Sequence, residues 1–203
     1  MTRTLLLKVL YAALALALGG LSLLLVTTVF RGHETFGAVL VGVLLLVPGR
    51  IQGFFLRNLF RGRRLLDDGQ PKQALDHLQA FLAELARSPW QKRLIWLSWA
   101  IYTPDVEAMA WNNVGAAHSQ LGSWNEAEEA FLKALAVDRR YPLPHLNLAR
   151  IAIVKGDRNS ADRHLESARS LGYKKTSIDQ LTFQAQALLA RVEGRTRETT
   201  SSG

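Results

Sequence analysis

The chain of 203 residues has no cysteine, so no disulfide bond stabilises it. This agrees with a cytoplasmic location, where domains need no disulfides, although many exported proteins also lack cysteine. Motifs of common enzyme classes are missing too: there is no H-E-x-x-H, no G-x-S-x-G and no Walker-type glycine loop. The five histidines are scattered along the chain. We therefore expect a protein that is not an enzyme, with no catalytic residue, no metal site and no cofactor.

Acidic residues are fewer than basic ones, 17 against 25, and the formal net charge is +8. Such an excess can indicate nucleic-acid binding. Here, however, much of it lies in a cluster formed by Arg57, Arg61, Arg63 and Arg64, directly after an apolar region. Anionic headgroups attract each basic residue near a membrane surface by ~1 kcal/mol. We interpret this arginine cluster as a topology signal that contacts the lipid bilayer, and we expect no nucleic-acid partner.

Charged residues are absent from the segment Val9 to Phe30, an almost unbroken apolar run of about 22 residues. A helix of ~20 residues crosses a bilayer. The segment predicts a transmembrane helix over about residues 9–30. A signal peptide is the competing interpretation, because Arg3 and Lys8 resemble a charged leader. The apolar core of a signal peptide is normally ~7 to 15 residues long, however, and no convincing cleavage site follows Val26.

A second apolar segment predicts another membrane helix over about residues 35–55, bent at Pro48-Gly49. A re-entrant or shallow insertion is the alternative. The link between the two segments is too short for a domain, so residues 1–56 should form a transmembrane hairpin. Basic residues precede and follow this hairpin, which places both termini in the cytoplasm by the positive-inside rule. We expect an integral membrane protein of a bacterial inner membrane, with the remainder of the chain cytoplasmic.

The chain after the hairpin contains an internal repeat. Gly122 recurs as Gly156 after 34 residues, and Phe131 recurs in the same register as Leu165. Further pairs in this register are Ala127 with Ala161 and Ala134 with Ala168. Small residues let two helices approach closely, and large residues fill the gap between successive helix pairs. The pattern predicts stacked helix-turn-helix repeats over about residues 108–141 and 142–175, with a degenerate copy at 55–88.

The register resembles the tetratricopeptide repeat, whose first helix carries W-x2-L-G-x2-Y and whose second carries A-x3-F. In the middle copy these positions are held by Trp111, Val114, Gly115, His118, Ala127 and Phe131. The last copy departs from the pattern, with His145 in place of Trp and Ala152 in place of Tyr. The resemblance covers roughly residues 55–173. It implies an all-α solenoid whose first helices line a groove that binds a peptide or a helix of a protein partner.

Carried over position by position, the resemblance assigns a partner-binding groove to Met109, Asn112, Asn113, Asn147 and Arg150. Asparagine amides can hold a peptide backbone in both directions, and Arg150 can pair with a carboxylate. The subclass that clamps acidic C-termini is not indicated, because Leu143 and Asn147 replace two of its basic residues. Ordinary solvated helix surface is the alternative for each groove residue.

An insert at residues 89–107 breaks the repeat phase and holds three of the five tryptophans. Its aromatic residues are Trp90, Trp96, Trp99 and Tyr102. The insert can pack as an extra helix inside the stack, lie at the membrane interface as Trp and Tyr often do, or form an exposed partner site.

The end of the chain predicts a capping helix at 177–192, which covers the apolar face of the last repeat, and a disordered tail at 193–203. The whole repeat domain then spans residues 57–192. We predict that the protein is a membrane-tethered adaptor for protein–protein interaction, which assists assembly or recruitment of a membrane or cell-envelope complex. The alternative is an accessory subunit held mainly by its hairpin, with structural repeats.

Overall fold

The structure is a computed structural model that describes residues 3–90, 92, 103, 105–173 and 176–201. All regular secondary structure in these residues is helical, which confirms the predicted all-α class. The helices are α1 (Arg3–Val29), α2 (Glu34–Phe55), α3 (Arg57–Asp67), α4 (Pro71–Arg87), α5 (Val106–Leu121), α6 (Trp124–Val137), α7 (Pro142–Val154), α8 (Arg158–Ser170) and α9 (Ile178–Ser201). Each predicted repeat span corresponds to one helix pair, α3 with α4, α5 with α6, and α7 with α8, although α5 begins two residues before the predicted span 108–141.

The first two helices are joined by a short turn in which Gly32 has a φ of +87°. Beside this turn Phe30 lies so close to Gly37 that an added Cβ there would be 2.6 Å from the Phe30 side chain. In the part of the chain that the structure describes, one helix is long and apolar enough to cross a membrane. It is α1, whose window Ala12–Val29 has a mean hydropathy of 2.2, and none of the described side chains in this window is buried inside the molecule. Signal sequences share these properties, so the two-helix membrane hairpin stays a proposal.

The helix pair α3–α4 shares a core with α5. Leu59 on α3, Phe81 on α4 and Val114 on α5 belong to one cluster of buried side chains. Gly62 lets α3 and α4 approach, because a Cβ at this position would lie 2.7 Å from Cγ of Leu78. Pro71 begins α4, a position where its missing N–H costs no helical hydrogen bond. The first helix pair is therefore packed onto the second.

The middle and last helix pairs follow the same design. Gly115 on α5 faces Phe131 on α6, and a Cβ at Gly115 would lie 2.5 Å from the phenyl ring. Phe131 also belongs to a buried cluster with Leu148 and Ile151 of α7, which joins the two pairs. Gly122 ends α5 in the left-handed conformation, with a φ of +80°, as glycine readily does at helix ends. The small and large residues of the sequence repeat thus lie at the contacts that they were predicted to make.

The last helix, α9, covers the end of the stack through Leu181, which is buried with Leu146, Ala149 and Leu165. The structure continues α9 to Ser201, whereas the sequence predicts a disordered tail from residue 193. Extending an existing helix by one residue is far easier than nucleating a new one. Four of the nine residues from 193 to 201 are glutamate or arginine, which favour helices.

Candidate partner-binding groove

The predicted groove residues lie on the first helices α5 and α7, and they are more enclosed than a free groove surface would be. Asn112 is 6% exposed and Asn113 is 8% exposed, while Asn147 and Arg150 are half-buried. Met109 is half-buried too and packs against the core cluster shared by α3, α4 and α5. The structure therefore separates Met109 from the polar members of the set.

Three of the polar residues form one hydrogen-bonded chain across the two first helices. Asn147 Nδ2 on α7 donates to Asn112 Oδ1 on α5 over 3.0 Å. Arg150 Nη1 then donates to Asn147 Oδ1 over 2.9 Å. Because each residue orients the next, the Arg150 guanidinium is held in place by this chain.

This chain of hydrogen bonds continues onto α9, which the sequence predicts only as a capping helix. Arg150 donates from Nε and from Nη2 to Gln184 Oε1, over 3.2 Å and 2.8 Å. Further along α9, Val192 lies against the end of α5, where a Cβ on Gly122 would be 2.6 Å from Val192 Cγ1. One helix thus contacts both first helices that line the predicted groove. The sequence gives no distinct signal for this contact, because Gln180 and Gln186 on the same helix are polar as well.

The helix pairs, their small contact residues and this shared face of first helices are the features of one repeat family. Residues 106–180 match the family model of the tetratricopeptide repeat. No curated protein matches the chain. Tetratricopeptide repeats generally bind other proteins and are not themselves enzymes, so the match supports a role in protein–protein interaction.

Within the matched region, Arg150 is a cation that has no acidic partner among the described residues. Burial lowers the pKa of its guanidinium, and the nearby Tyr173 acts in the opposite direction. Its hydrogen-bond partners among the described residues are the amides of Asn147 and Gln184, and no Asp or Glu described here forms an ion pair with it. An arginine keeps its charge at neutral pH. The predicted groove therefore contains a fixed positive charge whose described hydrogen-bond partners are neutral.

A histidine pair lies between α7 and α8 in the last repeat. His145 Nδ1 and His164 Nδ1 are 3.2 Å apart, so one ring must donate to the other. Burial lowers the pKa of both rings; the charge of His164 lowers the pKa of His145 further, and Arg163 lowers that of His164 further. Glu128 and Asp157 act on His164 in the opposite direction. Across the described residues no group of three or more His, Cys, Asp or Glu side chains is arranged to hold a metal ion.

This pair predicts a loss of stability in mild acid. Both folded-state pKa values lie below the ordinary value of 6.5, so the unfolded chain binds more protons once the pH falls below 6.5. The contribution of the pair is complete above that value and is lost as the pH falls from 6.5 through the two lowered folded-state pKa values. We expect the unfolding temperature, followed by circular dichroism in detergent, to fall over this range. His164→Gln should reduce the slope, whereas His33→Gln, at an exposed position, should keep it; equal slopes in all three proteins would contradict the assignment.

The predicted membrane-interface residues are partly gathered at the junction of α2 and α3. The Phe55 ring lies 5.0 Å from that of Trp90, which is 52% exposed, and the Arg57 guanidinium lies 5.4 Å from the Phe54 ring. The other arginines of the cluster, Arg61, Arg63 and Arg64, are exposed on α3. Trp96, Trp99 and Tyr102 lie outside the described residues. The junction thus combines aromatic and basic side chains.

The ends of the insert are attached to the repeats. Lys92 forms an ion pair with Glu107 in the first turn of α5. At the other end, buried Thr103 donates from Oγ1 to Asp138 Oδ2 over 2.6 Å, and Asp105 caps α5 by accepting from two backbone amides. Residues 93–102 lie outside the described part of the chain, so the three interpretations of the insert stay predictions.

Proposed function

We propose that the chain is a membrane-tethered adaptor, in which α1 and α2 lie in the bilayer and the tetratricopeptide repeats bind a protein partner. The observation that best supports the tether is the direct connection between the apolar helices and the stack. Leu56 alone separates α2 from α3, and this residue is fully buried in the core cluster of the first repeats. Such a connection fixes the repeats close to the end of α2.

The side chains at this junction support a position at the membrane surface. Tryptophan and arginine are suited to the headgroup layer, where an aromatic ring meets both apolar and polar surroundings and a guanidinium meets phosphate. The excess of basic residues on both sides of the hairpin supports repeats that face the cytoplasm, and we place the protein in a bacterial inner membrane.

Tethering has a physical consequence for binding. A groove confined near the membrane has a raised effective concentration for partners that are also bound there. Assembly or recruitment of a membrane or cell-envelope complex is the role that this arrangement suits.

One observation favours a second function, that of an accessory subunit held inside the bilayer. The predicted groove already carries α9, whereas apolar side chains such as Leu16, Leu23 and Val39 are exposed along α1 and α2. Other membrane helices could pack against these side chains. In this case the repeats would be mainly structural, and the hairpin would bind the other subunits of the complex.

Purification from native membranes in mild detergent tests both functions. We expect the full chain to stay in the membrane pellet after alkaline carbonate washing and, after solubilisation, to retain a stoichiometric companion. Replacing the three hydrogen-bonded polar residues together, as Asn112→Ala, Asn147→Ala and Arg150→Ala, should remove that companion. The matched control changes three exposed residues of similar chemistry outside α5 and α7: Gln79→Ala, Arg139→Ala and Asn159→Ala.

Two outcomes would contradict the proposal in different places. Release of the chain by carbonate would exclude the tether. A companion that persists in the groove variant would move the contact to the hairpin or the insert and favour the accessory subunit.

A further inference from the structure

The C-terminal helix occupies the face on which a partner of the repeats would be expected to bind. It contacts α7 through Gln184 and α5 through Val192, the two first helices that carry the polar chain. Leu181 and Ala185, one helical turn apart, are fully buried. On its outer side Phe183 is 73% exposed. In the described structure α9 is therefore an amphipathic helix that lies on the groove with its apolar side inward.

The contacts of α9 indicate that another helix can replace it on the predicted groove. Its first two turns are anchored by Ile178 and Leu181 in the last core cluster. Beyond Ala185, the residues Leu188, Leu189 and Val192 are only half-buried. The hydrogen bonds described between α9 and α7 all end on Gln184, which is neutral. A carboxylate in this place would add an opposite charge to the hydrogen bonds that Arg150 already donates, and its two oxygens could accept two parallel N–H bonds from the guanidinium.

We propose that α9 is a self-ligand of the groove, and that the partner is an amphipathic helix that replaces α9 and places an Asp or Glu side chain on Arg150. The incoming helix would carry aliphatic residues with the spacing of Leu181 and Ala185, and its acid would stand where Gln184 stands. The identity of the natural partner rests on the proposed adaptor function, whereas the self-ligand contact rests on the geometry of α9 alone.

Two glycines provide a matched pair of variants. Gly122 and Gly156 end α5 and α7 with nearly the same φ, +80° and +78°, so alanine causes the same backbone strain at both. Only at Gly122 would the new Cβ meet α9, at 2.6 Å from Val192; at Gly156 it meets nothing within 4 Å. Gly122→Ala should loosen α9 from α5, and Gly156→Ala controls for the strain.

The probe is a fluorescent synthetic peptide with the sequence of residues 178–192 and the change Gln184→Glu. Its binding to the full chain in detergent micelles is measured by fluorescence anisotropy. Because a tethered helix competes at an effective concentration of roughly millimolar, we expect wild type and Gly156→Ala to bind the probe weakly. Gly122→Ala should bind it at least tenfold more tightly, and adding Arg150→Gln should remove this gain. Equal binding by the two glycine variants, or a gain that does not depend on Arg150, would overturn the proposal.

A second variant tests the contact without loosening the fold. Gln184→Glu in the full chain should slow hydrogen exchange of the α9 amides several-fold and weaken probe binding, and Arg150→Gln should cancel both effects. Unchanged or faster exchange in Gln184→Glu would overturn the carboxylate site. Neither measurement needs the natural partner. If the protein purifies without a companion and its Gly122→Ala variant binds the probe, the adaptor is refuted and the self-ligand stands. If the protein purifies with a companion and its Gly122→Ala variant does not bind the probe, the self-ligand is refuted and the adaptor stands.

Discussion

Replacing Phe131 by alanine is expected to lower the free energy of unfolding by ~3–5 kcal/mol, the cost of removing a large buried ring and leaving a cavity. Phe131 is 1% exposed and lies on Gly115, the glycine that has no room for a Cβ. It is also buried with Leu148 and Ile151 of the next repeat. The substitution therefore removes contacts within one helix pair and between two pairs.

Thermal unfolding of the full chain in detergent, followed by circular dichroism at 222 nm, measures this effect. A loss of 1 kcal/mol lowers the unfolding temperature of a chain this long by roughly 2–4 °C, so a decrease of about 6 °C or more is expected. Phe183→Ala is the control, because it makes the same chemical change at an exposed position on α9. A decrease of similar size in both variants would mean that the repeats do not depend on the Phe131 contact.

The repeat architecture could be predicted because its constraints are local and recur. A close crossing of two helices needs a small residue, and the gap beside it needs a large one, so Gly115 and Phe131 leave a pattern that is readable at a fixed period. The same logic located the degenerate first pair from Ala74 and Leu78, both of which are fully buried. Here periodicity carried the information about tertiary contacts.

The course of α9 could not be predicted in this way. Helical spacing shows that Ile178 to Val192 has an apolar side, but not which surface that side covers. The contact between Gln184 and Arg150 joins residues that are far apart in sequence and depends on the angle at which α9 leaves the last repeat. The burial of Asn112 and Asn113 follows from tertiary packing as well, and family positions alone suggested more open residues.

The match to the tetratricopeptide repeat begins at residue 106, yet the shared core indicates that the stack begins earlier. Phe81 on α4 is fully buried in the cluster that includes Ala110 and Val114 of α5. We expect Phe81→Ala to cost ~3–5 kcal/mol and to destabilise α5 as well as α4. Phe60→Ala, on a ring that is 43% exposed on α3, is the control and should change little.

Hydrogen exchange followed by mass spectrometry separates the two possible consequences of Phe81→Ala. If α3 to α5 form one cooperative unit, the amides of α5 exchange faster together with those of α4, since the lost contacts support both. Faster exchange confined to α3 and α4 would show instead that the first pair opens independently. In that case the repeats that follow would not be held rigidly to α2, and the direct connection through Leu56 would no longer support a fixed position of the groove at the membrane.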